Sequence, residues 1–129
     1  MSTLLQNNII VASNRKTTND FFKKYISKLG SIICASTIES VIAKIYLKRH
    51  ISVIIVDEEI SLSSGASLIS FLKAVPPFKS IPMILLTSSR SNRRNGSFID
   101  CGADSCLTWP CANDKLFAEI CEMLLRDAS

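Results

Sequence analysis

The chain holds a single histidine in 129 residues, and that scarcity removes most nucleophilic hydrolase and zinc chemistry at once. His50 follows Lys48 and Arg49 at the end of a helical segment, remote from the loops where a nucleophile could sit, so it reads as a surface residue. Neither a Ser-His-Asp set nor a Cys-His pair can be drawn, and no Gly-rich phosphate loop is present. The five cysteines, Cys34, Cys101, Cys106, Cys111 and Cys121, include no Cys-x-x-Cys pair. An odd count without close pairs predicts reduced thiols, mostly small core residues, in a cytoplasmic protein. No apolar run approaches the roughly 20 residues that span a bilayer, so membrane insertion is not expected. Met1 to Asn8 shows no basic segment leading into an apolar stretch and a small-residue cleavage site, so export is not expected either.

What is present describes one globular domain, residues 8–129, after a short N-terminal tail, residues 1–7. The hydrophobic fraction of 47% is ordinary for such a domain. The net charge of +4 is uneven, with eight Lys or Arg in the first fifty residues against Asp20 and Glu39. Lys23, Lys24, Lys28, Lys44 and Lys48 fall at helical spacings opposite apolar residues, as solvated faces do. No basic and aromatic residues interleave on a strand and no recognition-helix pattern appears, so nucleic acid is not an expected partner.

Apolar periodicity alternates between strand and helix along the chain. Asn8 to Ala12, Ser31 to Cys34, Ile51 to Val56, Pro82 to Leu86 and Ser105 to Thr108 read as strands. Helices are expected through Phe21, Phe22, Tyr25, Ile26 and Leu29 as far as Gly30, and on an inner face of Ile38, Val41, Ile42 and Ile45. A capping box at Ser36-Thr37-Ile38-Glu39 opens the second of these. A third helix through Leu68, Ile69, Phe71 and Leu72 is ended by Val75-Pro76-Pro77. A weak helix over Arg93 to Cys101 contains Gly96, and a last one from Asn113 or Asp114 buries Leu116, Phe117, Ile120 and Leu124, with Cys121 beside them. Five such units predict a parallel sheet covered by helices on both faces. The loops after strands one, three, four and five then gather at one edge of the sheet.

Asp57 ends the apolar run Ile51 to Val56 and stands with Glu58 and Glu59 at that edge. A carboxylate at the carboxyl end of a buried strand occupies the place where open α/β sheets build their sites. The first run ends instead in Ala12-Ser13-Asn14, with no acid to join Asp57 in holding a cation. Thr87 closes the fourth strand, ahead of Ser88 and Ser89, and Trp109-Pro110 follows the fifth.

With Gly65 eight residues after Asp57, the strand end Leu85-Leu86-Thr87, Gly102-Ala103 and Pro110, the chain resembles the receiver domain of two-component response regulators. The likeness runs from about Asn8 to Arg126. It implies a flavodoxin-like, doubly wound five-stranded parallel sheet of order 2-1-3-4-5. It also implies phosphoryl transfer from a kinase histidine to Asp57, with Mg²⁺ held by acids after the first strand, a phosphate hydrogen bond from Thr87, an aromatic switch on the fifth strand and a lysine before the last proline. Asp57 and Thr87 match. The acidic pair is replaced by Ala12 and Ser13, the aromatic by Cys106 and the lysine by Trp109, so the pocket is degenerate.

Phosphoryl transfer depends on positioning and on neutralising charge, and losing one preorganised donor costs about 10²- to 10³-fold in rate. Only Asp57, and weakly Glu59, remain as metal candidates, and no cofactor is expected. Glu58, Glu59, Ser88 and Pro110 are pocket neighbours. Arg15 and Arg90 lie in loops from which a guanidinium could pair with a carboxylate, although exposed loop arginines more often face water. Trp109 reads as a pocket plug or an exposed contact residue. The expectation is a non-enzymatic, receiver-like signalling module, a monomer or weak dimer, acting through a protein partner such as a histidine kinase or a downstream signalling protein. A working phosphoacceptor that uses Mg²⁺ is the alternative, and a metal-dependent phosphohydrolase a third reading.

Overall fold

β-branched residues are concentrated in the first three runs, at Ile9 to Val11, Ile32 to Ile33 and Val53 to Val56, because their stiff side chains pack well on a pleated, buried surface. The computed structural model describes residues 7–48, 50–60, 63–87, 102–109 and 113–128. Its sheet contains β1 (Asn8–Ala12), β2 (Ser31–Ala35), β3 (Val53–Asp57), β4 (Met83–Thr87) and β5 (Ser105–Thr108). Their spatial order is β2-β1-β3-β4-β5, with every neighbouring pair parallel, as the resemblance implied. All residues of β3 and β4 are buried, whereas the outer strands β2 and β5 are only partly so.

Alternation along the strands separates two apolar layers. Ile10, Ile54, Val56 and Leu85 pack against α2 (Ile38–Leu47) and α3 (Gly65–Lys73) through Val41, Ile45, Leu68 and Leu72. Ile9, Val11, Ile55 and Ile84 face α1 (Lys16–Tyr25) and α5 (Asn113–Ala128) through Phe22, Leu116 and Ile120. From β1 the chain steps outward to β2 and then crosses back to β3. The carboxyl ends of β1 and β3 therefore flank the point where the connections diverge.

Local chemistry moves several expected boundaries. Thr37, not Ser36, caps α2, its hydroxyl accepting the Ser40 N–H at 3.0 Å. Ser36 and Thr37 can both cap, and the backbone geometry selects the second. β3 begins at Val53, two residues later than the apolar run, and the Ser-rich loop beyond it contains an antiparallel ladder of Glu59–Ile60 with Ser63–Ser64. Pro76 and Pro77 do not merely end α3: they open a single-turn helix, α4 (Pro76–Lys79), where a missing N–H costs nothing. Phe117 is 37% exposed rather than buried, because it lies at the margin of the apolar stripe of α5, whereas Met123 is fully buried; Phe71 on α3 is 51% exposed.

Cys34, Cys106 and Cys121 are thiols at half-buried positions, not core residues, since two of them sit on outer strands. Burial pushes the Cys34 thiol up from its ordinary value. Among the described residues, no helix is long and apolar enough to cross a membrane. The expected helix over 93–101, together with Ser88, Ser89, Arg90, Arg93, Arg94, Cys101, Pro110 and Cys111, lies outside the described residues.

At the amino-terminal pole of the sheet, the Lys73 ammonium donates to the carbonyls of Lys79 (3.0 Å) and Ile81 (2.9 Å) and pairs with Asp104 at 3.0 Å. Asp104 also accepts the Met83 N–H at 2.8 Å, so one lysine joins α3, α4, β4 and the approach to β5. At the opposite pole, α3 starts against the backbone of Asp57. Gly65 donates its N–H to the Glu58 carbonyl at 2.8 Å, and a Cβ at Gly65 would collide with the Asp57 carbonyl and the Glu58 Cα. Gly65→Ala should therefore destabilise the protein by about 1–3 kcal/mol through forced backbone displacement. Urea denaturation checks this, with an unchanged m-value expected.

Candidate functional site

Ser13 follows β1 directly and is fully buried, its N–H held by the Ala35 carbonyl at 3.0 Å. Its hydroxyl accepts the Arg15 N–H at 3.1 Å, an ST-type turn that starts α1, and donates to Asp57 Oδ2 at 2.9 Å. Asn19, one turn into α1, donates from Nδ2 to the Ser13 carbonyl at 3.2 Å. This turn aims Arg15 back across the sheet edge.

The Arg15 guanidinium donates to Asp57 Oδ1 at 2.8 Å and lies 3.8 Å from Glu59 Oε2. The Glu59 N–H donates to the same Oδ1 at 3.1 Å. Asp57, only 1% exposed, thus has a hydroxyl on one oxygen and a guanidinium plus a backbone N–H on the other. Burying a carboxylate is costly unless it is paired and hydrogen-bonded, and Arg15 supplies the pairing charge. Against the expectation that loop arginines face water, Arg15 pairs with the buried carboxylate of Asp57.

Thr87 ends β4 beside Asp57, since Asp57 is in register with Leu86. Its buried hydroxyl donates to the Leu107 carbonyl at 3.4 Å, toward β5, while its own carbonyl accepts the Trp109 N–H at 2.6 Å. Cys106 sits on β5 against the α2 and α3 layer, and Trp109 belongs to the opposite layer. Trp109 packs edge-on to Phe21 at 5.0 Å and stacks on Phe22 at 5.7 Å, which makes it a filler between β5 and α1. Glu58 is nearly buried and donates its N–H to Leu86, whereas the Glu59 side chain is 79% exposed. Ala12 is fully buried in the α2 and α3 layer. Asn19 was not singled out in the sequence, where nothing distinguishes it from other polar residues of α1.

The donors fit Mg²⁺ poorly. A magnesium site needs one or two carboxylates with free oxygens in near-octahedral geometry. Here Ala12 and Ser13 bring no carboxylate, and both Asp57 oxygens already have donors, one of them a cation. Among the described residues no group of three His, Cys, Asp or Glu side chains could hold a metal ion.

Comparison with solved structures places this architecture among known receiver domains. A signal receiver domain of a signal transduction histidine kinase from Syntrophus aciditrophicus superposes with a TM-score of 0.81 at 24% identity, covering 92% of this chain and 89% of that one. A chemotaxis response regulator of Vibrio cholerae gives 0.80 at 17% identity over 92% and 98% of the two chains. A probable two-component response regulator with a GGDEF domain gives 0.88 at 18% identity over 98% of this chain and 52% of that one. No protein-family model and no curated protein matches the sequence.

Deleting the guanidinium leaves Asp57 buried without its counter-charge. Arg15→Ala should cost about 1–3 kcal/mol, toward the lower end because the arginine is 37% exposed and screened by solvent. Asp57→Asn should cost less, and adding it to Arg15→Ala should recover part of the loss. Denaturant unfolding of the four proteins in the cycle measures this coupling.

Proposed function

We propose that this chain is a receiver-type module of two-component signal transduction in which Arg15 has taken the place of the divalent cation, and that it signals through protein contacts rather than by rapid phosphorylation of Asp57. The observation that carries this reading is the 2.8 Å contact from Arg15 to Asp57, with Ser13 on the second carboxylate oxygen. The receiver-like fold supports the signalling class. In such a pocket a phosphodonor meets a carboxylate already engaged by three donors, and in this reading neither a metal ion nor, among the described residues, a lysine neutralises the charge that develops on the transferred oxygens.

The coupling outward is weakened in the same way. Thr87 is turned to Leu107, and Cys106 offers no aromatic ring to follow the hydroxyl inward. The state of the module is then set by what binds it, with a histidine kinase or a downstream signalling protein as the class of partner. The module itself has no catalytic activity, binds no Mg²⁺ and requires no cofactor in this reading. Arg15 also favours one alternative, since a guanidinium can fork onto phosphoryl oxygens, in which case Asp57 is a phosphoacceptor served by an arginine.

Titration of Mg²⁺ with and without beryllofluoride, followed by Trp109 fluorescence, separates these readings. The expected result is no saturable change through the millimolar range; a saturable, Mg²⁺-dependent change that disappears in Asp57→Asn overturns the proposal. A constructive test adds the missing acid and removes the built-in cation. Ser13→Asp combined with Arg15→Ala places two carboxylates together at the edge of β1 and β3, so this double variant should melt lower than the parent in EDTA and regain stability on adding Mg²⁺. The parent protein should show no such recovery.

A further inference from the structure

β2 lies at the end of the sheet, and among the described residues no strand pairs with its outer side. The Ser31 N–H donates to Asn7 and the Ala35 carbonyl accepts from Ser13, both on the β1 side. In a parallel ladder alternate residues of a strand face the same neighbour, so Ser31, Ile33 and Ala35 serve β1. The N–H and C=O groups of Ile32 and Cys34 therefore point outward, as a template for one more strand.

A groove of about 480 Å³ runs along this edge. Its apolar floor comes from both faces of β2, with Ile32 packed toward the α1 and α5 layer and Ile33 toward the α2 and α3 layer. Leu47 forms part of the wall and is 74% exposed. The charged lining is of one sign: Lys23 from α1, Lys44 from α2 and Lys48 at the C-cap of α2. Asp20, the acid nearest on α1, is already paired with Lys16 at 2.8 Å. Lysines beside an edge strand keep like chains apart, because a second copy would bring its own lysines against them. The same lysines attract an extended segment of opposite charge, and they stand on both faces of the edge, where the alternating side chains of an added strand would reach them.

We propose that the outer edge of β2 binds an acidic, extended segment of a partner protein as a sixth strand of the sheet, its backbone paired with Ile32 and Cys34 and its carboxylates held by Lys23, Lys44 and Lys48. This surface is separate from the Asp57 pocket and does not depend on how that pocket works.

The test uses the full chain and a capped eight-residue peptide, Glu-Glu-Val-Val-Glu-Glu-Val-Val, which presents both residue types on each face of a strand; the control has lysine for glutamate. Hydrogen exchange read by NMR should slow at the Ile32 and Cys34 amides on adding the acidic peptide, with Ile33 little changed because its amide is already paired. Reversing Lys23, Lys44 and Lys48 together to glutamate, which leaves the backbone untouched, should weaken binding roughly tenfold or more. Ile32→Pro, which removes an outward donor at an edge position that tolerates proline, should also weaken it. The proposal is overturned by no binding, by equal binding of the lysine peptide, by protection elsewhere than at these two amides, or by affinity that survives the charge reversal. Tighter binding of a single-stranded oligonucleotide at the same lysines, without protection of the edge amides, overturns it as well.

Discussion

A carboxylate that is 1% exposed at the end of β3 has to meet a compensating charge, and the arrangement of the sheet edge follows from where that charge comes from. In this protein it comes from within, through the Arg15 guanidinium. The Ser13 turn that delivers the arginine is held by the Ala35 carbonyl on one side and by Asn19 on the other. Gly65 brings the start of α3 against the backbone of Asp57 from below. The acid is therefore clamped by β1, α1 and α3 together. An intramolecular cation is always present at full occupancy, whereas a metal ion comes and goes with its concentration.

The central strands were the most legible part of the sequence. Ile, Val and Leu in unbroken runs have few alternatives to a buried strand when crossovers follow them, and β4 shifts by only one residue from its expected span. Helix margins were less legible. Periodicity locates an apolar stripe but not its width, so it puts Phe117 inside, where the structure leaves it 37% exposed, and does not reach Met123, which is fully buried. Ser36 and Thr37 offer the same capping chemistry one residue apart, and only the backbone path distinguishes them.

The candidate site was legible as a deficit rather than as a geometry. Asp57, Ala12 and Ser13 could be placed at one edge from strand order alone, and the missing acids followed from their identities. That Arg15 reaches Asp57 could not be read, because the partners are 42 residues apart and a loop arginine carries no sign of its direction. The usable signal was proximity along the chain: a guanidinium two residues past Ser13, whose hydroxyl faces Asp57. Trp109 shows a similar limit. Its indole could have faced a partner, but Phe21 and Phe22 at adjacent positions of α1 provide a closer aromatic surface.

Lys73 carries a different consequence. Each of its three ammonium protons has an acceptor, in the carbonyls of Lys79 and Ile81 and the carboxylate of Asp104, and the side chain is only 17% exposed. A modifying enzyme or a trypsin-like protease needs a lysine that can extend into solvent, and this one can do so only when the junction of α3, α4, β4 and the approach to β5 comes apart. Acylation or cleavage at Lys73 would thus report opening of the sheet's lower corner, against a background of surface lysines such as Lys16 that react at any time.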